Sequence, residues 1–381
     1  MNLQERMDEL DARIAARMAA VDDRLKTRLG TGSAATPAQP RAVAPPPAAR
    51  AAVAVPAAAG VAPQPATPAR IRAAIRAVAG IKAAEDLDPM EVARLWSTST
   101  AELQQLMSYV CTSPHVTSNP HYAKVADDLH FVIAKEDPMI NAFATIGEYA
   151  QVPGIPADAP MIYLLNGATL YAKLISAAFV MSRLVLDADP SMENPMPIFV
   201  TLIGNWVVQN GCEITEEGVA EFAGELGLHY IMANNGLYRK VSSFASAIII
   251  CVLAHEFGHL SLGHVHGRSV NLEISRNQER EADSFASSVI SSGPFGGYMV
   301  LGTVLWELVW VWLETVTGEP ATTHPLSSER LADLIRANPS AAAELGFSAP
   351  EDVQALGLAA RSPARSRGFQ WGVWNHKVAA R

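Results

Sequence analysis

Residues 255–259, HEFGH, set two imidazoles four positions apart with a carboxylate between them. On a helix, positions i and i+4 share one face, one turn apart. Two imidazoles so placed can both ligate a zinc ion, which takes nitrogen, sulfur and oxygen donors in a tetrahedral arrangement. Glu256 is rotated by about 100° from His255, because the α-helix has about 3.6 residues per turn. It therefore flanks the metal position, where it can take a proton from a water that zinc activates. The run before the motif, SAIIICVLA (246–254), is apolar and reads as a core helix. Charge at the end of such a helix is costly unless it is paired or metal-bound. Gly258, inside the motif, suits close approach of a neighbouring backbone.

Two histidines do not complete a catalytic zinc site, which uses three protein ligands. A metzincin would carry Gly at 262 and His at 265; this chain has Leu262 and Val265. Downstream, NQEREADSFA (277–286) reads as a second helix on which Glu279 and Asp283 share a face. A Glu as third ligand, with an Asp one turn later to orient a ligating histidine, fits known metal-site design. Glu281 competes for the ligand role but has Phe285, not an acid, one turn on; Glu279 is favoured. His264 lies five past His259, off the ligand face, and reads, like His266, as a neighbour of the site or a surface residue.

The motifs together resemble the gluzincin metallopeptidases that include the CaaX prenyl protease, the heat-shock protease HtpX and the OMA-type quality-control protease. The matching pieces, in order, are INAFA (140–144), HEFGHLSLGH (255–264), EREAD (279–283) and THPLSSER (323–330). The resemblance spans roughly 115–340 and implies His255, His259 and Glu279 as Zn2+ ligands and Glu256 as catalytic base. It implies that Asn141, Ala142, Phe143 and Ala144 form the strand lining a substrate cleft, where an extended peptide adds as a further strand. It implies that His324 helps stabilise the oxyanion, with Arg330 as the family's arginine six residues later. Between the Asn-Ala-Phe stretch and the next expected strand, TIGEYAQVPGIPADAPMIYLL departs from the family's Gly-Gly turn. The segment 145–240 looks longer and more helical than in the relatives.

The elements that must carry these residues are mostly helical. Ser99 or Thr100 reads as the cap of a helix, Asn119 as the cap of another through 134, and 137–145 as a short strand. Two stretches, 161–186 and 295–316, are apolar enough to suggest membrane spans, but the first holds Asn166, Lys173 and Arg183 and the second Glu307 and Glu314. Both read as buried or interfacial helices. Trp306, Trp310 and Trp312 leave a membrane-surface role open. The expected fold is α+β, mainly α: a zincin-type domain with a small sheet.

Four segments follow from composition. Residues 1–30 form an amphipathic, coiled-coil-like helix whose stripe (Leu3, Met7, Leu10, Ile14 onward) suits self-association or a partner. Residues 31–70 are an Ala/Pro-rich linker that cannot bury a core. Residues 71–340 are the metallopeptidase domain, and 341–381 a basic tail. The net charge of −9 argues against nucleic-acid binding, which needs basic patches. Three scattered cysteines suit a reducing compartment, and the N-terminus lacks the apolar core of a signal peptide, so a cytoplasmic protein is expected. The function expected is a zinc-dependent endopeptidase acting on protein or peptide substrates. Its rivals are a non-catalytic scaffold with a structural zinc and a membrane-surface interaction protein.

Overall fold

The computed structural model describes residues 94–150, 154–189, 194–266, 272–292, 301–308 and 327–337, with isolated positions at 70–74, 191–192 and 310–311. The expected N-terminal helix, nearly all of the linker, His324 and the basic tail lie outside the described residues.

Ser99 caps α1 (Thr100–Cys111), its hydroxyl accepting from Glu102 N–H at 3.2 Å. Leu103, Met107 and Val110 form its buried stripe. Ser113 and Asn119 cap α2 (Pro114–Thr117) and α3 (Pro120–Asp127), both opened by a proline at the first helical position. The sequence pattern predicts a helix running to 134, but α3 ends at Asp127 and His130–Ala134 is strand β1. His-Phe-Val-Ile-Ala suits a strand once a partner is present, and strand preference depends on such context.

That partner is β3 (Pro160–Leu165), the centre of a three-stranded sheet ordered β1-β3-β2. β1 runs parallel to β3, and β2 (Ala142–Ile146) runs antiparallel to it with Phe143 opposite Tyr163. The short helix α4 (Gly147–Ala150) lies in the β2–β3 connection, where the sequence departs from the Gly-Gly turn of the similar families. The strand missing from the sequence reading is therefore the first part of the apolar stretch 161–186. The rest of that stretch is helix α5 (Asn166–Ala188).

Helices α6 (Met196–Gln209), α7 (Glu216–Glu225) and α8 (His229–Ala233) lead to the central helix α9 (Asn235–Ser261). Asn234 caps α9 by accepting from Gly236 and Leu237 N–H. From Ala247 to Ala254 every residue of α9 is buried, as an all-round apolar helix in a core must be. α5 and α10 (Leu272–Ser292) pack along it, and α11 (Ser327–Ala337) follows. Residues 301–308 are helical and lie so close to α9 that a Cβ on Gly302 would sit 2.8 Å from Ile248 N. α5 and α9 are long and apolar enough to cross a membrane; 83% and 61% of their apolar windows are buried in the fold.

Lys173 explains the charge within α5. It is 2% exposed, and its Nζ donates to the carbonyls of Leu95 (3.2 Å) and Ser97, with the Tyr238 ring beneath it at 5.7 Å. Lys135 Nζ donates to the Thr98 carbonyl next in line. The two lysines thus satisfy carbonyls where the helical turn at 94–96 ends, a role that cations favour. Burial lowers Lys173 to about 8 despite the charges of Glu102 and Glu216. Lys173→Met keeps the volume and removes the donor, and should cost about 1–3 kcal/mol in urea unfolding. Between pH about 8 and 10.5 the unfolded state holds this proton more tightly, so wild-type stability relative to Lys173→Met should rise with pH.

Candidate active site

The last two turns of α9 carry His255, Glu256 and His259 out of the core. α10 approaches them at Gly258, where an added Cβ would lie 3.2 Å from Ala282 Cα and 3.2 Å from Phe285 Cβ. The missing side chain lets α10 lie close enough to present Glu279, which is 7% exposed. His255 Nε2 and His259 Nε2 are 3.1 Å apart; Glu279 Oε2 is 3.2 Å from the first, and Oε1 is 3.5 Å from the second. Donors about 2.0–2.1 Å from one tetrahedral centre are separated by about 3.3 Å. The three donor groups thus have the spacing of three corners of a zinc tetrahedron, and among the described residues they form a group able to hold a metal ion.

Burial disfavours charge on His255, yet hydrogen bonds to Asp283 and Glu279, with the charges of Asp283 and Glu256, outweigh it and hold the imidazole well above its ordinary range. The surroundings of His255 therefore favour positive charge.

His255 Nδ1 lies 2.9 Å from Asp283 Oδ1. Arg330, on α11, forks onto the same carboxylate, Nε donating to Oδ2 at 2.8 Å and Nη2 to Oδ1 at 2.7 Å. Its Nη1 meets Glu307 Oε1 at 3.1 Å. Burial raises Asp283, but His255 and Arg330 reverse this and hold it below the usual carboxylate range. Arg330, which the resemblance matches to the family's arginine, thus commits its guanidinium to Asp283 and Glu307. Glu307, 1% exposed, was not recognised as part of the site. Its signal was there: a carboxylate inside an apolar, Trp-rich run needs a buried partner. Burial raises its pKa and Arg330 counters.

Glu256 Oε2 accepts from the backbone N–H of Ala144, at 2.8 Å. Among the described residues β2 is an edge strand, and Leu165 N–H donates to the Asn141 carbonyl at 3.1 Å. Main-chain groups alternate along a strand, so Asn141 and Phe143 face β3 while Ala142 and Ala144 face the free edge. Phe143, 39% exposed, stacks on Tyr163 with ring centroids 4.9 Å apart. Burial and the charge of Glu279 push Glu256 up to about 7, against His255, the Ala144 N–H and Arg330.

After Gly263, in the left-handed region at φ 76°, the chain turns through a short 3₁₀ segment, His264–His266. His264 Nδ1 lies 3.0 Å from His259 Nδ1, and its Nε2 lies 2.9 Å from Glu281 Oε2. Glu281, the rival ligand, is thus turned to His264. The structure brings together His255, Glu256, His259, Glu279, Asp283, Arg330 and the Ala144 amide around the end of α9.

Residues 235–346 match the family model Peptidase U49. The match covers α9, α10 and α11 and indicates a peptidase family, a coarser grouping than the gluzincins suggested by the motifs. No curated protein and no solved structure matches the chain.

The Glu307–Arg330–Asp283 chain predicts a separable double-variant outcome. Arg330→Met leaves Glu307 as an uncompensated buried charge and should cost about 3–5 kcal/mol in chemical unfolding. Adding Glu307→Leu removes that charge and should recover most of the loss. If the three donors hold zinc, its affinity, measured by chelator competition, should stay lowered in both variants, because Asp283 has lost its fork. Arg330→Lys should not restore it, since an ammonium cannot make the two-pronged contact.

Proposed function

We propose that this chain is a zinc-dependent endopeptidase whose ligands are His255, His259 and Glu279 and whose catalytic base is Glu256. The observation that carries the reading is the triangle of two imidazole nitrogens and one carboxylate, 3.1–3.5 Å on its sides, with a second carboxylate beside it. A structural zinc site is usually closed by four protein ligands. Three ligands with a neighbouring base favour hydrolysis, and the Peptidase U49 match supports a peptidase.

When bound, zinc polarises the scissile carbonyl and makes water acidic enough to be deprotonated near neutral pH. The chain's own residues do the rest. Glu256 takes the proton of the attacking water, and its elevated pKa suits it to give that proton to the leaving amine. The Ala144 N–H aims its carboxylate. Asp283, clamped by Arg330, accepts from His255 Nδ1–H and so leaves Nε2 free to ligate. The free edge of β2, residues 141–144, is the proposed seat of an extended substrate, which would pair with the groups of Ala142. His324 keeps its proposed part at the oxyanion on the strength of the motif resemblance alone.

Glu256→Gln should bind zinc at wild-type stoichiometry and lose nearly all cleavage of casein or a fluorogenic peptide. Glu279→Gln should lose zinc, because a neutral amide is a poorer ligand than a carboxylate. Elemental analysis and the peptide assay read both outcomes. Wild-type rates in Glu256→Gln would sink the mechanism.

The domain plan extends the proposal: a 1–30 helix for self-association or docking, a 31–70 linker, the peptidase domain to 340 and the 341–381 tail, in a cytoplasmic protein. Arg70 forks onto Asp189 at the end of α5, at 2.6 Å from Nη2, so residue 70 is part of the fold. A deletion should therefore remove 1–69 and leave Arg70. It should keep zinc binding and lower the oligomeric state in sedimentation; an unchanged sedimentation species would reject self-association.

A further inference from the structure

The two ligating histidines differ in what stands behind them. His255 leans on a carboxylate that Arg330 clamps, a route readable from the spacing of Glu279 and Asp283. His259 meets an imidazole instead: its Nδ1 lies 3.0 Å from Nδ1 of His264. The two rings meet edge-on, 68° apart, as they must if a nitrogen in the plane of each ring is to address the other. On its far side His264 reaches Glu281 at 2.9 Å, and that carboxylate is 63% exposed.

The chemistry fixes every proton in this chain. This step rests on the zinc reading. If His259 ligates through Nε2, its proton is on Nδ1, and Nδ1–H donates to His264 Nδ1. His264 must then carry its own proton on Nε2, which donates to Glu281. One neutral tautomer of each imidazole satisfies both contacts, and the chain ends on a carboxylate that is acceptor only. The Gly263 turn is what makes the arrangement possible: a helix continued through 264 would carry His264 off the ligand face.

We propose that His264 and Glu281 are positioning residues that hold His259 in its ligating tautomer and orientation, a second arm complementary to Asp283 and Arg330. This arm is anchored at the surface, whereas the first is anchored in the core. His264 is not itself a ligand, since its Nδ1 faces the side of His259 opposite to Nε2. Glu281, the less favoured candidate ligand by spacing, acquires a role two residues from Glu279.

The test uses the full chain and zinc alone, with the dissociation constant from competition against a chromogenic chelator and the visible spectrum of the cobalt-substituted protein as second readout. His264→Ala should weaken zinc about 10- to 100-fold and change the cobalt band, since loss of a ligand's partner disturbs the ligand. His264→Asn sets an amide oxygen where Nδ1 was, restores the acceptor for His259, and should recover part of the affinity without the reach to Glu281. Glu281→Ala should fall between wild type and His264→Ala. Wild-type zinc affinity and cobalt spectrum in His264→Ala would overturn the proposal, as would a loss of thermal stability with both metal readouts unchanged. So would His264→Asn binding no better than His264→Ala. If the wild-type chain binds no zinc, the metal reading falls and this proposal with it; if wild type binds zinc and His264→Ala matches it, only this proposal falls.

Discussion

Too much negative charge meets at one place in the interior of this molecule. Glu256, Glu279, Asp283 and Glu307 converge on the end of α9, and Arg330 is the permanent cation among them in the described contacts. Carboxylates brought together away from water raise one another's pKa unless positive charge is supplied. Each group is tuned accordingly: Glu256 and Glu307 are pushed up, Asp283 is pulled down by His255 and Arg330, and His255 is raised. A divalent cation at the triangle of donors would relieve the same imbalance directly. The architecture around the site can be understood as what is needed to hold this charge in place.

Close packing meets that need first. Glycine at 258 lets α10 approach α9, and glycine at 302 lets the 301–308 helix do the same about three turns earlier, at Ala247 and Ile248. The approaching helices then deliver Glu279, Asp283 and Glu307 to one cluster. Each helix also buries apolar side chains: Ala282, Val289 and Ile290 on α10, Val304, Leu305 and Leu308 on 301–308, Leu331 and Leu334 on α11. Hydrophobic burial of this kind, about 25 cal/mol per Å² of apolar surface, offsets what assembling the polar groups costs. The division also explains Lys173, whose charge answers a different local problem, the unsatisfied carbonyls at 95 and 97.

What could be read in advance was local and periodic. His255, Glu256 and His259 are one helix turn, and Glu279 with Asp283 another, so spacing alone put each set on a face. Capping chemistry offered Ser99 or Thr100, of which Ser99 is the cap, and named Asn119 correctly. The misreadings are all non-local. His130–Ala134 is a strand because β3 lies beside it, and β3 hid inside an apolar stretch whose remainder is helix. Arg330 was singled out, yet its partners lie 47 and 23 positions earlier in the chain, beyond the reach of any periodicity. Glu307 was seen only as an interruption of an apolar run. His264, read as a neighbour of the site or a surface residue, stands beside His259 because Gly263 turns the chain after Ser261.

The contact between Glu256 and Ala144 differs in kind from the others, because its donor is main chain. No side-chain substitution short of proline removes it, so the position of the base is tied to the strand and not to the identity of residue 144. The same amide points to the free edge of β2, where on the proposed reading an extended peptide would pair. Pairing along that edge uses alternate residues, so Ala142 offers both its groups, whereas Ala144 offers its carbonyl and shares its N–H with the base. On that reading substrate and base would meet at one residue of one strand. A peptide registered on Ala142 and on the Ala144 carbonyl would lie beside the carboxylate that acts on its scissile bond. A shift of two residues toward Ile146 would displace it by about 7 Å, from a rise of about 3.4 Å per residue. Register on β2 then becomes the geometric link between where a peptide binds and where it is cut, and the exposed Phe143–Tyr163 stack lies on that same strand pair.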